Sequence, residues 1–540
     1  MGSLGRDNSR SYLGRSASVP VSKHHRLKGG TTKVTWLVLT EGSRGRSTEL
    51  RIPIESGRTE RFTDKEEPSM TSRRPKSKPA SIDFSHEALS DCFVTEPQRG
   101  QSTVAAMEKT ALGSTTTNLM ERVVHWGNMQ KAWKAVRANR GAPGPDGITI
   151  NDFPEYFYQH WPRIWRQLLD GTYQPRASRR KSIEKKDGGE RLLGIPNVME
   201  RLIHQAISQI LTPIFDPGFS ESSYGYRPKR SASGAIKQIQ RTIRDGYRHC
   251  LDMDLSKFFD RCQHDMLLVR VARKVDDKRL LKMIGRFLRA GVIVEGQHQP
   301  THEGVMQGSP LSPLLSNILL DDFDKELEKR GLRFVRYADD FLVFTRTAEA
   351  AQRVFQSVEN YLTRKLKLVV NRDKSRICST NGVEFLSYQF HGYGGQIRVS
   401  PKSLKKFKER SRELLNRNHG KSTSQRLNEL KEYLRGWIGY FALEQRKSEF
   451  DTLDKWLRRR MRACIWKQWR LPSTRVRKLK QLGVGNDDAY SHGNSRKGPW
   501  RMAKSLAISM AMPNKWLDDL GLFSLSNRWS ELAPMRRTAL

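Results

Sequence analysis

The sequence predicts an α+β chain followed by an all-helical, basic third, and three observations carry that expectation. Short alternating apolar stretches such as "HCLDMDL" and "RFVRYADDFLVFT" have the period of two that marks strands. Between and after them, "PLSPLLSNILLDDFDKELEKRG" and "AEAAQRVFQSVENYLTRKL" repeat apolar residues every three or four positions, as helices do. After Ser400 only helical spacing remains, in "PKSLKKFKERSRELLNR", "LNELKEYLRGWIGYFALEQ" and "FDTLDKWLRRRMRACIWKQWR", with Arg and Lys filling the other faces.

Residues 1–117 are rich in Ser, Arg, Gly and Thr and predict a largely disordered or mis-started extension, with one strand in "KVTWLVLTE" and a true start nearer Met107 or Met120. Order is expected from Asn118. "NLMERVVHWGNMQKAWKAVRANRG" reads as one helix with Leu119, Val123, Trp126, Met129, Trp133 and Val136 on its buried face, stopped by the loop Gly141 to Gly147. Trp161 to Leu169 and "NVMERLIHQAISQILTPIF" read as further helices, the second interrupted near its end by Pro213. Between them "SRRKSIEKKDGGERLLGIP" reads as a basic hairpin turning at Asp187-Gly188-Gly189.

Charge narrows the function. Lys and Arg number 97 against 57 Asp and Glu in 540 residues, a formal charge of +40. A polyanionic partner is implied, because each phosphate neutralised releases condensed counterions. The five cysteines form no C-x-x-C and no Cys/His cluster, which argues against a disulfide framework or structural zinc and fits a reducing compartment. No apolar run approaches the roughly 20 residues that span a bilayer.

The acids carry the candidate chemistry. In "HCLDMDLSKFFDRCQHD" the candidates are Asp252, Asp254 and Asp260, and the strand period puts Asp252 and Asp254 on one face. Asp339 and Asp340 sit between two apolar strand-like runs, either as a surface turn or as further ligands beside the first strand. Carboxylates from two strand ends suit Mg²⁺, a hard cation that takes oxygen ligands. Two such ions about 3.5–4 Å apart would stabilise the attacking 3′ oxygen and the leaving pyrophosphate of a nucleotidyl transfer.

In order along the chain, "RLLGIPNVMERLIHQAI", "SYGYRPKRSA", "MDLSKFFD", "VMQGSPLSPLLSNILL", "RYADDFLVF", "LKLVVNRDKS" and "FLSYQF" resemble bacterial group II intron-encoded reverse transcriptases. Downstream, "YLRGWIGYF", "WLRRRMRACIWKQWR" and "NSRKGPWRMAKS" resemble their maturase region, in the compact class without an HNH endonuclease. The resemblance runs from about Asn118 to Arg528 and implies a right-hand polymerase with an antiparallel palm sheet and a helical thumb and maturase region. Fingers are expected over 118–247, palm over 248–395, thumb and maturase over 396–472, and a C-terminal maturase motif and tail over 473–540.

The resemblance further implies roles. Asp254, Asp339 and Asp340 would hold two Mg²⁺, with the Leu255 carbonyl as an extra ligand. Phe259 would act as a steric gate against ribose, or else pack the core with Phe258; Gln307 and Gly308 would meet the incoming dNTP. Lys185, Lys186 and Arg191 would grip its triphosphate, the lysines alternatively lying on a solvated hairpin, and Lys374 would sit near the site. Arg458, Arg459, Arg460, Arg475, Arg496 and Lys497 would bind RNA, while most of the tryptophans among them pack a core. The sequence departs from the family at Met306, where Pro is common, and at Ser309 and Ser387, where Gly is common, which puts fidelity and template handling in question. Implied partners are group II intron RNA, an RNA template with a DNA primer, dNTPs and target DNA, in the bacterial cytoplasm, with priming from an available 3′ end. Two other readings are a domesticated group II-like enzyme with a defence role and a non-catalytic splicing cofactor.

Overall fold

The structure, a computed structural model, describes residues 116–184 and 190–532 and the backbone of two upstream strands, β1 (Thr35–Thr40) and β2 (Glu49–Ile54). These two pair antiparallel. The first falls in "KVTWLVLTE"; the second, "ELRIPI", went unread although it alternates as a strand does. The rest of the expected N-terminal extension lies outside the described residues, as do Asp187, Gly188 and Gly189 of the expected hairpin turn.

The first expected helix is two, Leu119–Val124 and Trp126–Ala138. His125 is extended between them at ψ 135°, and its carbonyl accepts the amides of Asn128 and Met129. The Asn128 side chain donates to the Val123 carbonyl at 2.8 Å, so the broken helix end keeps a partner. The helix expected at Trp161 begins earlier, at Phe153, with Pro154 in its first turn, and runs to Leu169. Val198–Phe215 continues two residues past Pro213, where only the last turn loses a donor.

A mixed sheet follows the order β4-β3-β6-β7, from β3 (Ser178–Glu184), β4 (Glu190–Ile195), β6 (Val292–Val294) and β7 (Gln297–Gln299). Its β3/β6 pair is parallel, and the others are antiparallel. The central sheet is antiparallel throughout, in the order β10-β5-β9-β8. Its strands are β5 (His249–Met253), β8 (Arg333–Tyr337), β9 (Asp340–Thr345) and β10 (Arg376–Ser379). A third sheet, β11 (Glu384–Phe385), β12 (Tyr388–His391) and β13 (Gln396–Val399), leads into the helices. Ser400 is buried and caps the first of them, Pro401–Leu414, by accepting the Ser403 amide.

Two apolar cores lie on opposite faces of the central sheet. Leu251, Met253, Phe341 and Val343 face the first, with the helices Val198–Phe215 and Ser312–Lys329. Cys250, Val335, Leu342 and Phe344 face the second, which continues into Thr423–Tyr440 and Lys447–Gln468. The alternation expected along these strands is therefore apolar on both sides, as a sheet covered twice requires.

Candidate active site

β8 and β9 are joined by a two-residue turn, since Tyr337 pairs with Asp340 and only Ala338 and Asp339 lie between. Ala338 has φ +59°, a conformation that costs energy for a residue with a Cβ and persists only where neighbours hold it. Arg336 is one holder: its fully buried guanidinium donates to the Ala338 carbonyl at 2.9 Å and to Asn317 Oδ1 at 2.9 Å, and its Nε donates to Asp324 Oδ1 at 2.7 Å. The segment Ser222–Gly225 is the other. The Tyr224 amide donates to the Arg336 carbonyl, the Arg336 amide to the Ser222 carbonyl, and a Cβ on Gly225 would stand 2.3 Å from the Ala338 nitrogen.

The turn leaves Asp339 half-buried, with one carboxylate oxygen enclosed. Its Oδ1 is buried without a hydrogen-bond partner. Burial, then the charge of Asp254, push its carboxyl up to about 6, while its own amide and the cations Arg191 and Arg336 oppose the rise. Asp340 begins β9 and is buried.

Asp254 lies just beyond β5, which ends at Met253, so the expected common strand face with Asp252 does not extend to it. The segment after Leu368 fixes it instead. The Asn371 amide donates to the Asp254 carbonyl at 2.8 Å, Asn371 Nδ2 donates to Oδ2 at 3.2 Å, and Ser375 Oγ accepts the Asp254 amide at 3.0 Å. Leu255 bridges to Val370, and Lys374 lies in the same turn as Asn371. Asp252 is buried and faces Arg376 Nε at 3.4 Å, whereas Asp260 is exposed. Among the described residues no three His, Cys, Asp or Glu side chains are grouped closely enough to hold a metal ion by themselves.

Phe259 and Gln307 line one cavity of about 260 Å³, together with Gly194, Lys257 and His204. Phe259 is buried and meets Phe258 edge-on at 5.1 Å. The Gln307 carbonyl accepts the Gly194 amide at 2.9 Å, and Gly308, at φ +111°, approaches the Gly194 oxygen so closely that a Cβ would stand 2.6 Å from it. Met306 packs on Gly194, where an added Cβ would meet its sulfur at 2.5 Å. Ser309 Oγ lies 2.9 Å from His204 Nδ1 and accepts the Leu311 amide. Both unusual residues of the loop are thus built into its packing. Ser387, the third, adopts φ +66°, a conformation that glycine takes without strain. Lys185 and Lys186 lie outside the described residues.

His204 also makes a measurable handle on this loop. Burial holds its imidazole down at about 3, against an ordinary value of 6.5. Between those values the unfolded chain binds a proton that the folded chain does not, so stability falls as pH drops from 6.5 toward 3, by at most about 1.4 kcal/mol per pH unit. His204→Gln is expected to flatten this acid limb in denaturation curves measured across that window, and an unchanged slope would contradict it.

Of the six basic residues expected to face RNA, Arg496 and Lys497 are exposed. The other four are half-buried and engaged within the protein. Arg459 lies 3.9 Å over the Trp500 ring and donates to its carbonyl; Arg460 lies over Trp456 and Trp500 at 5.3 and 6.0 Å. Arg475 lies 5.1 Å over Trp466 and donates to the Trp469 carbonyl, and Arg458 faces Asp518 at 3.9 Å. Exposed cations nearby in the chain, Arg477, Lys480, Arg501 and Lys504, carry no mark in the sequence, because helical spacing alone does not separate outward from inward bases. Trp437 and Trp466 are buried, as most of these tryptophans were expected to be, and Trp456 and Trp469 pack partly against the same core.

Residues 183–390, which contain Asp254, Asp339, Asp340, Phe259 and Gln307, match the family model "Reverse transcriptase (RNA-dependent DNA polymerase)". Residues 404–483 match "Group II intron, maturase-specific domain", and the two together cover more than half of the chain. The chain belongs to the group II intron reverse transcriptases and maturases. This reverse transcriptase is 29% identical over 351 residues to protein YkfC of Escherichia coli, covering 57% of its own length and 91% of YkfC. It is also 29% identical to the group II intron-encoded protein LtrA of Lactococcus lactis, covering 53% of its own length and 58% of LtrA. A partial Cas6-RT-Cas1--Cas2 complex matches it among solved structures at 26% identity and a TM-score of 0.31, over 45% of this chain and 42% of that one. Among the described residues no helix is long and apolar enough to cross a membrane.

Proposed function

We propose that this reverse transcriptase adds dNTPs to a primer 3′-OH on an RNA template, in a bacterial cytoplasm, and that it binds group II intron RNA to promote splicing and retrotransposition into target DNA. The observation that carries the catalytic reading is the buried, unpartnered Asp339 Oδ1, on a carboxyl that feels the negative charge of Asp254. A buried carboxylate oxygen without a donor is costly in the protein alone and fits a cation. In this reading Asp254, Asp339 and Asp340, with the Leu255 carbonyl, would hold Mg²⁺, which when bound stabilises charge on the attacking and leaving oxygens. The family generally depends on divalent metal, and Mg²⁺ is the ion these hard oxygen donors suit.

The chain's own residues do the rest. Arg191, whose charge reaches Asp339, grips the triphosphate, and Lys185 and Lys186 add their charge to that grip. Gln307 and Gly308 present a loop held to β4 against the incoming nucleotide, and Lys374 sits in the turn that fixes Asp254. Phe259 blocks a ribose 2′-OH, and its ring is braced by Phe258. Intron RNA lies along exposed Arg496 and Lys497 and the neighbouring cations, while Arg459, Arg460 and Arg475 stiffen that face through their aromatic contacts and Arg458 through Asp518.

The test is single-turnover incorporation of a labelled dNTP on a primed RNA template with Mg²⁺. Phe259→Ala is expected to cut discrimination against the matched rNTP by about tenfold or more while dNTP incorporation persists. Unchanged selectivity would leave Phe259 as core packing alone.

A further inference from the structure

Cys250 and Cys378 are 128 residues apart in sequence, yet they stand directly opposite each other on neighbouring antiparallel strands, β5 and β10, with their sulfurs 3.5 Å apart. Opposed residues of such strands have Cα atoms about 4.5–5.5 Å apart, inside the roughly 4.4–6.8 Å window that a disulfide accepts. β10 is an edge strand, and Cys378 is partly exposed there while Cys250 is fully buried. One thiol is therefore open to solution and the other waits behind it.

We propose that Cys250 and Cys378 are a modification site, closing to a reversible cross-strand disulfide when the protein meets a peroxide. The Cys378 thiolate attacks a peroxide oxygen, the O–O bond breaks, and the departing hydroxide takes a proton to leave as water. The sulfenic acid on Cys378 is then attacked by the Cys250 sulfur. The S–S bond forms, the S–O bond breaks, and the hydroxide takes the Cys250 proton as a second water. One peroxide thus accepts the two electrons that the thiols lose. Partial exposure assigns the first attack to Cys378, and the contact with Cys378, then burial, hold the Cys250 thiol protonated. In a reducing compartment such pairs are transient and redox-sensing rather than structural.

The consequence for the reaction rests on the polymerase reading above. Ser375 and Asn371, which hold the Asp254 amide, carbonyl and carboxylate, lie three and seven residues before Cys378, and Asp254 lies four residues after Cys250. Drawing the sulfurs from 3.5 Å to bonding distance, about 2.05 Å, pulls the two strands across the ligand they position. Misplacement of a reacting group by a fraction of an ångström to 1 Å is enough to slow catalysis by about ten- to a hundredfold. The remaining described cysteines have no such option: Cys262 and Cys464 are buried and donate to the Phe258 and Leu415 carbonyls.

The experiment treats the full-length protein with hydrogen peroxide, traps remaining thiols with N-ethylmaleimide, and maps peptides by mass spectrometry, with primer extension measured before, after and on adding dithiothreitol. The expected result is a linked Cys250–Cys378 peptide two hydrogens lighter than the pair, with a rate loss of about tenfold or more that dithiothreitol reverses. Cys378→Ser and Cys250→Ala are both expected to abolish the linked peptide and the rate loss. Absence of the linked peptide, a linked peptide with an unchanged rate, or equal inhibition of both variants would overturn the proposal. Reduced protein with no extension at all would count against the polymerase reading instead, since the peptide map is read independently of it.

Discussion

Asp339→Ala combined with Asp340→Ala is expected to lower dNTP incorporation on primed RNA by at least about 10³-fold, equivalent to losing about 4 kcal/mol of transition-state stabilisation. The protein should not unfold. Asp339 Oδ1 is buried with no donor, so the wild-type carboxylate already costs the fold free energy, and alanine removes that cost. Thermal stability in metal-free buffer is therefore expected to stay level or rise while activity disappears, the opposition found where a site is maintained for function. Intron RNA affinity should be unaffected, because the cations proposed to bind RNA lie elsewhere. Activity surviving the double change would remove the proposed ligand assignment, and a collapse in stability would show that the acids are structural.

Arg336→Met should have the largest effect on folding. Arg336 and Asp324 are both fully buried, and burial pushes the Asp324 carboxyl up while the guanidinium opposes it. Removing the cation strands an unpaired buried carboxyl, for which about 3–5 kcal/mol of destabilisation is the usual consequence. Arg336→Met with Asp324→Leu should recover most of that loss, because the stranded group goes too. It should not recover polymerisation, since the Ala338 carbonyl would still lack its donor at the turn that carries Asp339. Denaturant midpoints and extension rates for the single and double variants separate the two roles. A double variant as unstable as the single one would contradict the account of the pair.

What the sequence made legible, and what it hid, follows from how local each signal is. "YADD" between two alternating runs announces a turn within a dozen residues, and the helices Ser312–Lys329 and Ala348–Lys365 fall where their periodicity put them. The holders of that turn are not local. Arg336 reads in sequence as one more polar position in a strand, while its partners Asp324, Asn317 and Ser222 come from a helix and a loop. "SYGYRP" was visible as a motif, but the reason for its glycine is a backbone 113 residues away. β6 and β7 are three residues each, too short for any periodicity to register, and β6 joins the sheet by pairing with β3 across more than a hundred residues. The break at His125 was hidden for another reason: neither Gly nor Pro marks it, and Asn128 repairs the exposed carbonyl from the next helix.

The arginines of the C-terminal helices mislead in the opposite direction. "WLRRRMR" looks like a row of free phosphate ligands, yet Arg459 and Arg460 lie over tryptophan rings, and the three-methylene stem of an arginine lets it cover apolar surface while its charge stays near water.

The central claim is templated DNA synthesis. Its most direct test is extension by the purified wild-type protein, with Mg²⁺ and dNTPs, of a DNA primer on an RNA of mixed sequence, followed by sequencing of the product. The expected product is a DNA complementary to the RNA, lengthening with time and absent without the template. No extension by folded protein, or addition that ignores the template, would contradict it.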